Sequence, residues 1–190
     1  IAGTYDKVQV IPIENFSHGR ARNLGASVAK GDIVVLMTQD ALPSGEGWLA
    51  NLLERFDDER VVAAYSRQVP RKEANPMERY FLHTHFPDGQ SVKRSRQGDE
   101  RLTLGKVFFS NVSAAIRRDI LLKYPFDENL IMSEDQQYAR DVLMAGYSVI
   151  YQPKSVVIHS HDYSLGTVFR RYFDSVYSLT YIFPHHDMGV

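Results

Sequence analysis

The chain contains no cysteine. That excludes disulfides, thiolate metal sites and a cysteine nucleophile, and it is compatible with a reducing compartment. No uninterrupted apolar stretch approaches the ~20 residues that span a bilayer, and no signal peptide is visible. Net charge is only -1 over 190 residues, which argues against a nucleic-acid partner held by phosphate neutralisation. Internal repeats and low-complexity segments are also lacking. What remains is ordinary for one soluble globular domain: 44% hydrophobic and 24% charged residues. The chain opens at Ile1 rather than Met, in what reads as the approach to a strand, and so reads as a piece of a longer protein.

Hydrophobic periodicity divides the chain into alternating strands and helices. Lys7–Ile13 alternates with period two and reads as a strand. Gly19–Ala29 reads as a helix with Leu24 and Val28 on one face and Gly31 as its stop. The continuous apolar run Ile33–Met37 suggests a buried central strand. Trp48, Leu49, Leu52, Leu53 and Phe56 mark an amphipathic helix, Val61–Tyr65 a strand, and Pro76–Phe86 a helix. Residues 87–106, with Lys93, Arg94, Arg96 and Arg101, read as a mobile basic loop. Val107–Phe109, Val112–Ile116, Tyr147–Tyr151 and Val156–Ile158 read as strands. Leu165, Val168, Phe169, Tyr172, Phe173, Val176 and Tyr177 recur at helical spacing and read as buried core, with Arg170 and Arg171 beside them leaving a membrane-surface face open. Strands alternating with helices imply an α/β fold with a mainly parallel sheet.

Several residues have the character and position to carry chemistry. Ser133 and Gln136 have capping-box spacing, and Gly146 supplies a stop, so Glu134 and Asp135 open a helix. The helix dipole favours charge there, and a fixed, ionised Asp135 is what a general base needs; the pair equally suits a plain helix start. Asp40 follows the apolar strand, where open α/β sheets bind ligands, and could hold a divalent cation on two phosphates or simply shape the turn before Pro43. Arg20, Arg22 and Asn23 lie near a helix N-terminus, suited to a phosphate or to solvent. His159 and His161 share a strand face at i and i+2, fit for a metal or for a polar surface turn. Asn111 could meet a sugar hydroxyl or a bulge in its own strand, and Trp48 fits the core better than a sugar.

Four segments, in order, resemble the inverting family-2 glycosyltransferases of the GT-A fold, in particular the rhamnosyltransferase-like branch that builds bacterial surface polysaccharides. They are Ser17–Gly25 with Gly31-Asp32; Leu36–Pro43; Phe109–Arg118 with Pro125–Glu128; and Glu134–Arg140 with Ala145-Gly146-Tyr147. Each motif is weak alone, and the ordered set covers nearly the whole chain. The metal motif reads Thr38-Gln39-Asp40, without the first acid of the DxD pattern, as in the rhamnosyltransferase branch.

The resemblance implies a single domain over 1–190: a donor- and metal-binding part (1–106), an acceptor and catalytic part (107–163) and a C-terminal helix (164–190). It implies that Asp40 holds Mn2+ or Mg2+ on a nucleotide-diphospho-sugar, with His161 or His159 as a further ligand. Asp135 would be the general base and Glu134 would position it or the acceptor, a glycan or lipid-linked saccharide. Arg20, Arg22, Asn23, Gln39 and Asn111 would lie on the donor side. It also implies a cytoplasmic location, at the inner membrane face, with a peripheral membrane contact. The family's opening strand–helix–strand unit, of roughly 30 or more residues, would be missing apart from its tail, so the fold is expected to be N-terminally truncated and activity to belong to the longer parent. Two other readings stay open: a metal-dependent hydrolase using His159, His161 and Asp40, and a noncatalytic sugar- or partner-binding module.

Overall fold

The computed structural model describes residues 8–183. Helix α1 (His18–Val28) starts where the Ser17 hydroxyl accepts the Arg20 N–H at 3.1 Å, satisfying one donor that a helix start leaves open. Strands β1 (Ile33–Met37) and β2 (Leu42–Ser44) follow, then α2 (Trp48–Leu53) and β3 (Val61–Val69). Asn75 caps α3 (Pro76–His85), where Pro76 occupies the first-turn position that needs no N–H partner. Strand β4 (Val92–Ser95), α4 (Leu104–Val107), β5 (Ser113–Arg117) and α5 (Arg118–Lys123) lead to α6 (Glu134–Met144), β6 (Ser148–Ile158) and α7 (Leu165–Ile182).

One six-stranded sheet has the order β1-β5-β3-β6-β2, with β4 also paired to β6. Both faces of its centre are covered. A larger cluster holds Ala63, Tyr65, Ala114, Ile116 and Val149 under residues of α3, α5, α6 and α7. A smaller one holds Ala64, Ala115 and Ile150 under Leu52 of α2. Alternate residues of β3 and β5 point to opposite faces, which is why both strands are buried along most of their length.

The sheet is mixed rather than mainly parallel. Among the described strands only β3 and β6 pair in parallel; β5 is antiparallel to both β1 and β3, and β2 and β4 are antiparallel to β6. Strand–helix–strand spacing implies a parallel pair only when the two strands become neighbours, and β5 is inserted between β1 and β3. It follows that β1, β3 and β6 run the same way, so their carboxyl ends and the start of β5 meet at one edge.

Other expectations also change. Lys7 lies outside the described residues, and Val8–Ile13 form no strand. In α1 Leu24 and Val28 share a face as expected, but the buried residues are Gly19 and Ala26. Strand β1 is outermost among the described strands, and Val35 and Met37 are exposed because the smaller cluster covers that face only at Ile33. The basic segment 87–106 contains β4 and α4, anchored by Lys93–Asp58 (2.6 Å) and Lys106–Glu100 (3.0 Å) ion pairs. Val107 ends a helix and Phe109 fills the core without being in a strand. The two short runs at 147–158 are one strand, with a bulge where Ser66 pairs Gln152 and the next residue, Arg67, pairs Val156.

The capping box does not form. Ser133 sits in the left-handed region at φ 65°, and its hydroxyl turns to Ser175 of α7 at 3.1 Å. Gly146, at φ +87°, does end the helix as expected. The aromatic stripe of α7 is not core: Leu165, Phe169, Tyr172, Phe173, Val176 and Tyr177 are 46–77% exposed, while Leu179, Ile182 and Phe183 face inward. Helical spacing shows that residues share a face; it does not say which face the rest of the protein covers. Among the described residues, no helix is long and apolar enough to cross a membrane.

Candidate functional site

The site lies at the edge where β1, β3 and β6 end and β5 begins. Ligands of open α/β sheets bind beyond strand carboxyl ends because the connections there leave a crevice. Asp40 sits on the turn after β1, and His159 and His161 on the exit from β6. One ligand atom from each of the three lies within 4.8 Å of the others. His159 Nε2 is 3.5 Å from one Asp40 carboxylate oxygen, and His161 Nδ1 is 3.7 Å from the other.

The charge states suit a cation. Burial works against ionisation of Asp40, but His159, the Thr38 hydroxyl, its own backbone N–H and His161 outweigh it and hold the carboxyl below its usual range. Burial, seconded by His161, pushes His159 down to about 4. His161 is lowered too, chiefly by burial. At neutral pH the trio is therefore one carboxylate and two neutral imidazoles, the form in which these side chains ligate metals.

A shell of hydrogen bonds surrounds the trio. Gln68, 5% exposed near the end of β3, places Oε1 2.8 Å from His159 Nδ1 and donates Nε2–H to Ser110 Oγ at 2.9 Å. Arg71 donates to the backbone carbonyls of Asp40 (2.6 Å) and Ser160 (2.7 Å). Tyr163 stacks on His161 at 4.5 Å, and Arg171 of α7 lies over the Tyr163 ring. Gln68, Ser110, Arg71 and Tyr163 were not singled out from the sequence. The apolar strand signal in the sequence ends at Tyr65, whereas β3 itself runs on to Val69 and carries Gln68 and, just beyond its end, Arg71 to this edge.

The carboxylate pair adjoins this shell through residues 110 and 111. Asn111, next to Ser110, is 2% exposed, and both polar atoms of its side chain lack a partner among the described residues. Its backbone N–H faces the Asp135 carboxylate, which also accepts the Gln136 N–H at 2.9 Å. Burial and the Glu134 charge push Asp135 up to about 7, against the pull of Arg22 and these N–H groups. Asp135 is thus a carboxyl that titrates near neutrality, in place of the fixed, ionised one expected from the helix start.

The remaining candidates divide. Arg22 forms an ion pair with buried Glu134. Arg20 Nε pairs with Glu128 at 2.9 Å, while Asn23 donates to Phe126 O (2.9 Å) and Glu128 (3.1 Å) and accepts the Phe126 N–H (3.1 Å). These contacts fasten α1 to the 126–128 turn, where a Cβ on Gly19 would come within 2.6 Å of Asp127 O. Gln39 is exposed on the Asp40 turn. Trp48 is half-buried and donates to Ser113 Oγ at 3.0 Å, so it ties α2 to β5.

Comparison with known proteins gives the family and the fold. Among curated proteins, the O-antigen chain rhamnosyltransferase RfbN of Salmonella typhimurium is 35% identical over 167 residues, covering 87% of this chain and 53% of that protein. WbaN of Salmonella anatum, also an O-antigen chain rhamnosyltransferase, is 35% identical over 178 residues, covering 92% of this chain and 56% of that protein. The chain thus spans little more than half the length of either relative. Among solved structures, the mannosyltransferase PcManGT of Pyrobaculum calidifontis, in complex with GDP-Man and Mn2+, has the same fold. Its TM-score is 0.60 at 22% identity, over 90% of this chain and 44% of that one. The family model for glycosyl transferase family 2 matches residues 1–124. With a mixed α/β sheet of GT-A type and these relatives, the chain belongs to glycosyl transferase family 2.

Proposed function

We propose that this chain is part of a metal-dependent inverting glycosyltransferase. It moves a sugar from a nucleotide-diphosphate donor to a polysaccharide or lipid-linked acceptor in cell-surface glycan synthesis. The O-antigen relatives favour rhamnose as that sugar. The observation that carries the reading is the convergence of Asp40, His159 and His161 within 4.8 Å, beside the edge that also holds Asn111 and Asp135. The trio alone would also suit a hydrolase; family membership favours transfer.

Asp40, His159 and His161 would hold the cation, and one carboxylate with two imidazoles favours Mn2+ over Mg2+, whose preferred ligands are oxygens. When bound, the cation would offset the charge of the departing diphosphate. Asp135 takes the proton of the acceptor hydroxyl as that oxygen attacks the anomeric carbon. The bond to the diphosphate breaks with its electron pair, and attack from the opposite face inverts the centre. Glu134, held by Arg22, keeps a like charge beside Asp135 and so keeps its basicity high. The unpartnered Asn111 amide, with Gln39, is assigned to the donor sugar and phosphates. Arg20 and Asn23 are committed to Glu128 and Phe126 and are assigned to fastening α1.

We place the protein at the cytoplasmic face of the membrane, where nucleotide sugars and lipid-linked acceptors meet. The exposed aromatic face of α7, with Arg170 and Arg171, supports a peripheral contact there.

A thermal-shift screen with Mn2+ and dTDP, UDP and GDP sugars tests the donor site. The expected result is metal-dependent stabilisation by one nucleotide class, lost in Asp40→Ala. An equal shift in Asp40→Ala would remove Asp40 from the site.

A further inference from the structure

We infer that Arg71 is a positioning residue that pre-organises the cation site by joining the two turns that carry its ligands. The inference rests on the cation-site reading above and concerns a residue outside the trio.

Asp40 follows β1 and His159–His161 follow β6, and these strands are not neighbours, since β5 and β3 lie between them. The direct ladder between the two turns among the described strands is β2 against β6, and its last pair, Leu42 with Ile158, stops short of Asp40 and of His159–His161. Arg71 spans the gap. One guanidinium nitrogen donates to Asp40 O at 2.6 Å, the other to Ser160 O at 2.7 Å, and the Arg71 backbone N–H reaches Ser160 Oγ at 3.0 Å. Arg71 is itself braced. Its carbonyl accepts the Ala74 N–H at 3.1 Å, and Arg79 of α3 donates to Ala74 O at 2.8 Å. Glu78, one residue earlier on α3, accepts the His161 N–H at 3.2 Å. The planar guanidinium holds donors on two nitrogens at a fixed spacing that meets both carbonyls; a lysine ammonium carries its three donors on one atom at the end of a flexible stem and lacks that fixed fork.

The charge of Arg71 gives the inference its edge. A guanidinium near the trio repels an incoming cation, so if Arg71 acted only through charge its removal would tighten metal binding. As a positioning residue its removal loosens binding, because the ligands must then be ordered at the moment the cation arrives. Charge and geometry predict opposite signs.

The experiment is a Mn2+ titration of the full chain by electron paramagnetic resonance of the free ion, for wild type, Arg71→Lys, Arg71→Ala and Asp40→Asn. Circular dichroism and Tm of each variant establish that it is folded. The expected result is a roughly 10- to 100-fold loss of Mn2+ affinity in both Arg71 variants, with binding abolished in Asp40→Asn. Unchanged or tighter binding in folded Arg71→Ala would overturn the inference. Should Arg71→Ala fail to fold, Arg71→Lys decides: it keeps the charge and loses the fork, and wild-type affinity there overturns the inference too. No Mn2+ binding by the wild type would overturn the cation site itself and the inference with it.

Discussion

His159 Nδ1 stands 2.8 Å from Gln68 Oε1. An amide oxygen only accepts, so Nδ1 carries the proton and the Nε2 lone pair faces Asp40. Gln68 thereby selects the tautomer that can ligate a metal. Replacing it with leucine, Gln68→Leu, should lower Mn2+ affinity by about 10- to 100-fold. Gln68→Glu, which keeps the acceptor, should retain most of it. Calorimetric Mn2+ titration of both variants checks this, and equal losses would show that the acceptor is not what matters.

Asp135 sets a pH dependence whose sign follows from its raised pKa. Between its ordinary 3.8 and about 7, the folded state keeps a proton that the unfolded state has lost. The folded state thus binds more protons, and this group's contribution to stability falls as pH rises through that window. Asp135→Asn removes the contribution. The Tm of the variant minus that of the wild type should therefore grow from pH 5 to pH 8, while transfer activity is lost. In the wild type, activity should rise with pH through about 7 as the base ionises. A Tm difference that is flat with pH would show that Asp135 is not strained by burial.

Arg22 and Glu134 form a largely buried pair, with side chains 16% and 8% exposed. Arg22→Met strands the Glu134 charge beside Asp135 and should destabilise by roughly 3–5 kcal/mol. The double variant Arg22→Met/Glu134→Leu should recover most of that loss, because the Glu134 charge is removed along with its partner. Urea unfolding of the three proteins gives the comparison, and a double variant no more stable than Arg22→Met would count against a buried-charge effect.

The outward face of α7 carries Phe169 and Phe173, 74% and 61% exposed. Vesicles containing anionic lipid should sediment the protein, and Phe169→Ser/Phe173→Ser should reduce the bound fraction several-fold without changing Tm. Unchanged sedimentation would place the membrane contact elsewhere or remove it.

Much of the fold was legible because it is local. The helix at 18–28, the strand at 33–37, the helices beginning at Trp48 and Pro76, and the glycine stop at 146 all follow from periodicity, proline placement and turn chemistry within a few residues. Asp40, His159 and His161 were readable as candidates because strand ends are where such groups act, and the order of the motifs pointed to the family.

What tertiary structure decided is everything that depends on which strand lies beside which. The insertion of β5 between β1 and β3 made the sheet mixed and brought Asn111 to the edge shared with Asp40 and His159. Contact with α7 drew Ser133 away from its capping role. Packing chose Leu179 and Ile182 of α7 for the core and left its aromatic stripe outside. Arg71 and Gln68 gained their roles from partners dozens of residues away. Sequence by itself determined the elements and the chemical groups, since those depend on short-range dihedral preference and side-chain type. Only the long-range pairing of strands determined which of those groups meet.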